Sequence, residues 1–143
     1  RIFYRDCGPT RFATLVYTEI TEDSGKMRVL NAGHPPPVVV GASGVRVLPS
    51  VAFPIGMIPD AVYVEQSVEL EHGDLVLLHS DGLTEAKNGE GFFFGDDRLH
   101  SLLTTLRSLP AGEAGARIVV EVEGFIGEGR PSDDLSMVVM RRL

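Results

Sequence analysis

The sequence predicts an α+β fold of antiparallel strands with helices packed on a sheet, and three observations point to it. Apolar and polar residues alternate with a period of two through much of the first half. Two segments of the second half carry apolar residues at helical spacing. A last short apolar run, Leu135 to Met140, follows the helices and ends at Arg141-Arg142.

The elements follow in order. Phe12 to Ile20 is rich in β-branched and aromatic residues and reads as a strand. Asp23-Ser24-Gly25 is a turn signal, and Lys26 to Leu30 alternates with Met27 and Val29 on one face. Together these predict a hairpin. Pro35-Pro36-Pro37 breaks the chain. Val38 to Val40 and Val45 to Leu48 flank Ala42-Ser43-Gly44 and predict a second hairpin. Val51 to Ala61, with Pro54, Gly56 and Pro59, reads as an ordered loop. Val62 to Leu70 alternates as a half-buried strand, with Val62, Val64, Val68 and Leu70 on its apolar face. Leu75 to Leu78 is continuously apolar, as a strand buried on both faces would be. Asp96-Asp97 starts a helix in which Leu99, Leu102, Leu103, Leu106 and Leu109 share a face, and Pro110 stops it. A second helix is predicted over Glu113 to Phe125, with Ile118, Val122 and Phe125 inward, and Gly127 to Pro131 as a loop after it.

The chain has 143 residues, enough for one domain with a real core, and no internal boundary is evident. Hydrophobic residues at 43% and charged residues at 23% exclude global disorder. No apolar run approaches the ~18 residues of a membrane span, and Arg1-Ile2-Phe3-Tyr4-Arg5-Asp6 is no signal segment. Without an initiator Met, the chain reads as a piece of something longer. Cys7 is the sole cysteine, so an intrachain disulfide is excluded, which suits a reducing cytoplasm. The net charge of −7 disfavours nucleic acid and anionic lipid as partners.

Three clusters could carry chemistry. His79-Ser80-Asp81-Gly82 directly follows the buried strand, and Gly82 lets the chain turn away at once. Ser132-Asp133-Asp134 directly precedes the last strand. If those strands are neighbours, their carboxylates converge at one end of the sheet, where oxygen ligands suit Mg²⁺ or Mn²⁺. Asp-Gly is also a common turn, and Asp-Asp before a strand can simply solvate a loop, so spacing alone leaves both readings open. Asn31-Ala32-Gly33-His34-Pro35-Pro36 puts an imidazole at a strand end. A nucleophilic triad is not indicated, since there is no Gly-x-Ser-x-Gly elbow. Phosphate-cradling glycine motifs are also lacking.

Four segments, in order, resemble the bacterial stage II sporulation protein E group of PPM-type phosphatases, which are similar to eukaryotic protein phosphatase 2C. They are Phe12-Ala13-Thr14-Leu15; Asn31-Ala32-Gly33-His34-Pro35-Pro36-Pro37; the long stretch from Pro54-Ile55-Gly56 through Glu71-His72-Gly73-Asp74 and Ser80-Asp81-Gly82-Leu83-Thr84-Glu85-Ala86 to Phe94-Gly95-Asp96-Asp97-Arg98-Leu99; and Ser132-Asp133-Asp134-Leu135-Ser136. The resemblance covers nearly the whole chain from Arg11 onward. It implies an α-β-β-α sandwich of antiparallel sheets flanked by helices, of which residues 1–143 are the C-terminal portion. It also implies a two-metal Mn²⁺ or Mg²⁺ site and direct hydrolysis of phosphoserine or phosphothreonine by water. Asp81 matches the aspartate of the family's Thr-Asp-Gly motif, with Ser80 replacing Thr, and Asp133 matches a second metal aspartate. Asp134, Gly82 and His34 match supporting positions beside the ligands.

One departure stands out. The family's earlier Gly-Asp segment supplies an aspartate that bridges both metals, and Asp6-Cys7-Gly8 does not match it. The residues present are therefore expected to hold about half a metal site. The implied substrate is a phosphorylated anti-sigma-factor antagonist of a partner-switching pathway. The alternative is a non-catalytic interaction module that keeps the fold. Strand edges left open by absent segments are expected to invite dimerisation, as a homodimer, or aggregation.

Overall fold

The computed structural model describes residues 11–50, 52–129 and 133–143. Cys7, with Asp6 and Gly8, and Ser132 lie outside the described residues. The chain forms two compact units, each described by itself. The first takes Arg1–Pro36 and Leu48–Glu71, and the second takes Pro37–Val47 and His72–Leu143. Antiparallel sheets with helices bear out the α+β class.

The first unit holds a three-stranded antiparallel sheet of β1 (Leu15–Thr21), β2 (Lys26–Ala32) and β5 (Glu65–Glu69), in the order β1-β2-β5. The predicted first hairpin is present, with Thr21 opposite Lys26 across the turn. β2 is central, and its alternation buries Met27 and Val29 while Lys26 stays exposed. β1 begins at Leu15 rather than Phe12. Ahead of it Ala13 exchanges both backbone hydrogen bonds with Ile55, which ties the chain to the predicted loop instead of the sheet. β5 is shorter than its pattern predicts. On that side β2 pairs only as far as Leu30 opposite Glu65, so Val62 and Val64 lie outside the ladder at 78% and 56% exposure. Alternation marks residues able to form a strand, and pairing ends where the partner's register ends.

The second unit holds β3 (Val38–Gly41), β4 (Gly44–Val47), β6 (Leu75–His79) and β7 (Met137–Arg141), all antiparallel in the order β4-β3-β6-β7. The second predicted hairpin is β3–β4. β6 is interior, and Leu75, Val76 and Leu77 are fully buried, as a continuously apolar strand requires. Three helices follow: α1 (Asp81–Thr84), α2 (Asp96–Leu106) and α3 (Ala111–Ile126). Val38, Val40, Leu75 and Leu77 meet Leu99 and Leu103 of α2 and Ile118 and Val122 of α3 in one core. Leu102, Leu109 and Phe125 pack at its margin, partly buried.

The helix starts differ in detail from the sequence reading. Gly95, at φ +78°, is the N-cap of α2, and Asp96 and Asp97 sit in its first turn, where they complement the dipole without capping. Pro110 ends nothing by itself. The preceding helix closes at Leu106, and Pro110 is the N-cap of α3. A half-buried ion pair steadies the base of β6. Asp74, almost fully buried, accepts a hydrogen bond from Arg46 Nη2 of β4 at 3.1 Å. A side chain at Gly41 would crowd the Asp74 carboxylate at 2.8 Å.

Candidate metal site at the end of β6 and β7

β6 and β7 are neighbours, and their register puts His79 opposite Met137. The C-terminal end of one strand therefore lies beside the N-terminal end of the other. Asp81 leaves β6 two residues after that pair, and Asp133 and Asp134 enter β7 a few residues before it. The condition for convergence of the two acidic clusters is thus met by the sheet.

The seam between them is held at Ser80. Its backbone N–H donates to the Ser136 carbonyl at 2.9 Å, extending the β6–β7 ladder by one bond. In a regular ladder the Ser136 N–H would return the bond to the Ser80 carbonyl. Here that carbonyl accepts from Leu83 N–H at 3.2 Å, in the first turn of α1, and from the His79 Nδ1–H at 2.9 Å. The Ser136 N–H goes instead to Ser80 Oγ at 3.0 Å, and the Ser80 hydroxyl donates onward to the Asp134 carbonyl, also at 3.0 Å. The sheet ends and α1 begins on this one residue.

Gly82 closes the seam. It is buried, and a methyl group there would overlap the Asp134 carbonyl oxygen, with the Asp134 carbonyl carbon at 3.0 Å and the Asp133 carbonyl carbon at 3.5 Å. Only a residue without Cβ lets the Asp81 turn lie flat on the Asp133–Asp134 backbone.

Asp81 and Asp133 are both exposed. Each carboxylate folds onto the next backbone amide: Asp81 Oδ1 accepts from Gly82 N–H at 3.0 Å, and Asp133 Oδ1 accepts from Asp134 N–H at 2.8 Å. Their remaining oxygens make no protein hydrogen bond among the described residues. Asp134 is also exposed, and its contacts to Ser80 run through its backbone. Hard carboxylate oxygens open to solvent are the donor type that Mg²⁺ and Mn²⁺ take while keeping waters. Among the described residues no three His, Cys, Asp or Glu side chains gather as a complete cage. The donor set fits such an ion in kind and supplies part of a shell.

His34 belongs to the first unit. Its turn is closed by Asn31, whose Oδ1 accepts from the His34 N–H at 2.8 Å and whose Nδ2 donates to the His34 carbonyl at 3.0 Å. Gly33 takes φ +70°, and a side chain there would strike the Pro54 ring at 2.5 Å. The imidazole Nδ1 lies 3.1 Å from Thr14 Oγ1. Sequence reasoning gave Ser80 no role beyond replacing the motif's threonine, and gave Ser136 none. The signal was a serine directly before Asp-Gly in one cluster and a second serine directly after Asp-Asp-Leu in the other.

The family model for Stage II sporulation protein E (SpoIIE) matches residues 1–143. Protein IcfG of Synechocystis sp. is 30% identical over 132 residues, 92% of this chain and 21% of IcfG. Phosphoserine phosphatase RsbU of Bacillus subtilis is 25% identical over 147 residues, 99% of this chain and 42% of RsbU. Among solved structures, the manganese-presoaked phosphatase domain of the cell-fate determinant SpoIIE from Bacillus subtilis shares the fold, with a TM-score of 0.70 at 22% identity. That match covers 90% of this chain and 56% of the solved one. The chain spans less than half the length of these curated relatives.

Proposed function

The chain belongs to the stage II sporulation protein E family, and from that premise we propose that it forms part of a Mn²⁺- or Mg²⁺-dependent protein-serine/threonine phosphatase domain. The substrate is a phosphoserine or phosphothreonine on a cytoplasmic regulatory protein, an anti-sigma-factor antagonist of a partner-switching pathway. The support for this substrate is the likeness to RsbU, itself named a phosphoserine phosphatase. The support for the site is the seam at Ser80 and Gly82, which lays the Asp81 turn against the Asp133–Asp134 backbone.

In this reading Asp81 and Asp133 hold the ion through carboxylate oxygens, with Gly82 and Asp134 supporting them. His34, which the resemblance matches to a supporting position, is not assigned as a ligand. A bound divalent ion neutralises phosphate charge and makes hydroxide available near neutral pH. Without it the same two carboxylates would repel a phosphate dianion. The reaction adds one water to phosphorus and breaks the bond to the seryl oxygen, which leaves as a protonated hydroxyl. The chain's own part is to fix two carboxylates against rigid backbone at a strand end, so that no rearrangement is needed when substrate arrives.

The test is Asp81→Asn in the full-length protein, assayed for phosphate release from a phosphoserine protein with Mn²⁺ and for thermal melting. Turnover should fall to background with the melting temperature unchanged, because Asp81 is exposed and leaves the core intact. Near-normal Mn²⁺-dependent turnover would exclude Asp81 as a ligand. A wild type with no turnover would favour the non-catalytic interaction module, a reading consistent with the incomplete cage among the described residues.

A further inference from the structure

Ser80 is the N-cap of α1, with extended backbone at φ −76° and ψ 162°, yet its hydroxyl makes no capping bond. A serine at this position ordinarily turns its oxygen onto the second or third N–H of its own helix. Here the oxygen points across the sheet end. It accepts from Ser136 N–H and donates to the Asp134 carbonyl, both at 3.0 Å, bridging segments 54 and 56 residues away. Both hydrogen-bonding roles of the hydroxyl are thereby used on the segment that leads from Asp133 into β7.

We propose that Ser80 is a positioning residue for the metal carboxylates: its hydroxyl sets the register of Asp133–Asp134 against Asp81–Gly82. This rests on the metal-site reading of Asp81 and Asp133. Three observations meet here. The Ser80 carbonyl is committed to Leu83 N–H and the His79 ring, so the main-chain ladder has no return bond to offer Ser136. The hydroxyl replaces that bond. The Asp134 carbonyl it holds is the same one against which Gly82 packs. Neither aspartate side chain bonds across the seam, so the backbone there depends on Ser80 and the Gly82 contact.

A positioning role predicts that the hydroxyl matters more to the ion than to the fold. Thr keeps the hydroxyl, Val matches Thr in shape without it, and Ala removes it. In the full-length protein, Mn²⁺ affinity is measured by electron paramagnetic resonance of free Mn²⁺, beside phosphate release and melting, for wild type, Ser80→Thr, Ser80→Val, Ser80→Ala and Asp81→Asn. Ser80→Val and Ser80→Ala should weaken Mn²⁺ binding by about 10–100-fold, the usual effect of losing an outer partner of a metal ligand. Ser80→Thr should restore binding, and the melting temperatures should stay near wild type. Ser80→Val binding Mn²⁺ as tightly as Ser80→Thr would overturn the proposal. So would a collapse of melting in the hydroxyl-less variants, which would make Ser80 a structural residue. If wild type and Asp81→Asn bind Mn²⁺ alike, the metal-site reading itself fails. If Asp81→Asn loses the ion while Ser80→Ala keeps it, only the role of Ser80 fails.

Discussion

The turn at Asn31–His34 is closed mainly by its own Asn31 side chain, with Ser50 Oγ accepting from the Gly33 N–H at 3.1 Å, whereas the turn at Ser80–Gly82 is closed by a segment 54 residues away. In the first, one buried asparagine side chain satisfies both backbone groups of a residue three positions on. The second depends on two strands being neighbours, on a serine hydroxyl standing in for a ladder bond, and on a glycine that admits a foreign carbonyl. A self-closed turn can form as soon as its own strand does. A turn closed at a distance is positioned only when the whole sheet is built. For two carboxylates proposed to share an ion, the second arrangement would make the site a report on the finished fold.

Perturbing each closure separately sharpens this contrast. The largest effect on the site is expected from Gly82→Ala. The added methyl meets backbone rather than a flexible side chain, so the Asp133–Asp134 segment must move. Overpacking of this kind costs about 1–3 kcal/mol. Mn²⁺ affinity should fall at least about 10-fold, as expected when the support of a ligand is displaced. Calorimetric melting and Mn²⁺ titration read the two effects. Unaltered Mn²⁺ binding would show that the close approach of Gly82 to Asp134 does not position the carboxylates.

The smaller effect is expected from Asn31→Ala. Asn31 is 1% exposed, and its loss leaves the His34 amide and carbonyl without their partner. The cost should be about 1–3 kcal/mol in denaturant unfolding. Mn²⁺ affinity should stay at the wild-type value, because His34 is not assigned as a ligand. A loss of Mn²⁺ binding matching that of Gly82→Ala would erase the distinction between the two turns.

The same contrast separates what the sequence makes legible from what it does not. Asn31, Gly33 and His34 are close in the chain, and an asparagine and glycine at a strand end carry a turn signal in themselves. The strands β2, β3 and β6 were legible because their apolar patterns match their burial. Both acidic clusters were legible as residues at strand ends. The adjacency of β6 and β7 was not, because three helices and their loops separate the two strands along the chain, and period-two patterning carries no partner information. Val62 and Val64 misled for the same reason. They continue the alternation of β5 past the point where β2 offers a partner. The role of the Ser80 hydroxyl stayed hidden because only the neighbouring segment ahead of β7 reveals where it goes.

The central claim is that Asp81 and Asp133 act on one ion site, and a double-mutant cycle of Mn²⁺ affinity in the full-length protein tests it most directly. Asp81→Asn, Asp133→Asn and the double variant are titrated with Mn²⁺ beside wild type, with melting curves as the control for folding. Side chains that share one ion are coupled, so their losses do not add as free energies. Each single variant should weaken binding, and the double variant should bind only slightly more weakly than the worse single. Losses that multiply in full, or either single variant binding Mn²⁺ like wild type, would contradict a shared site.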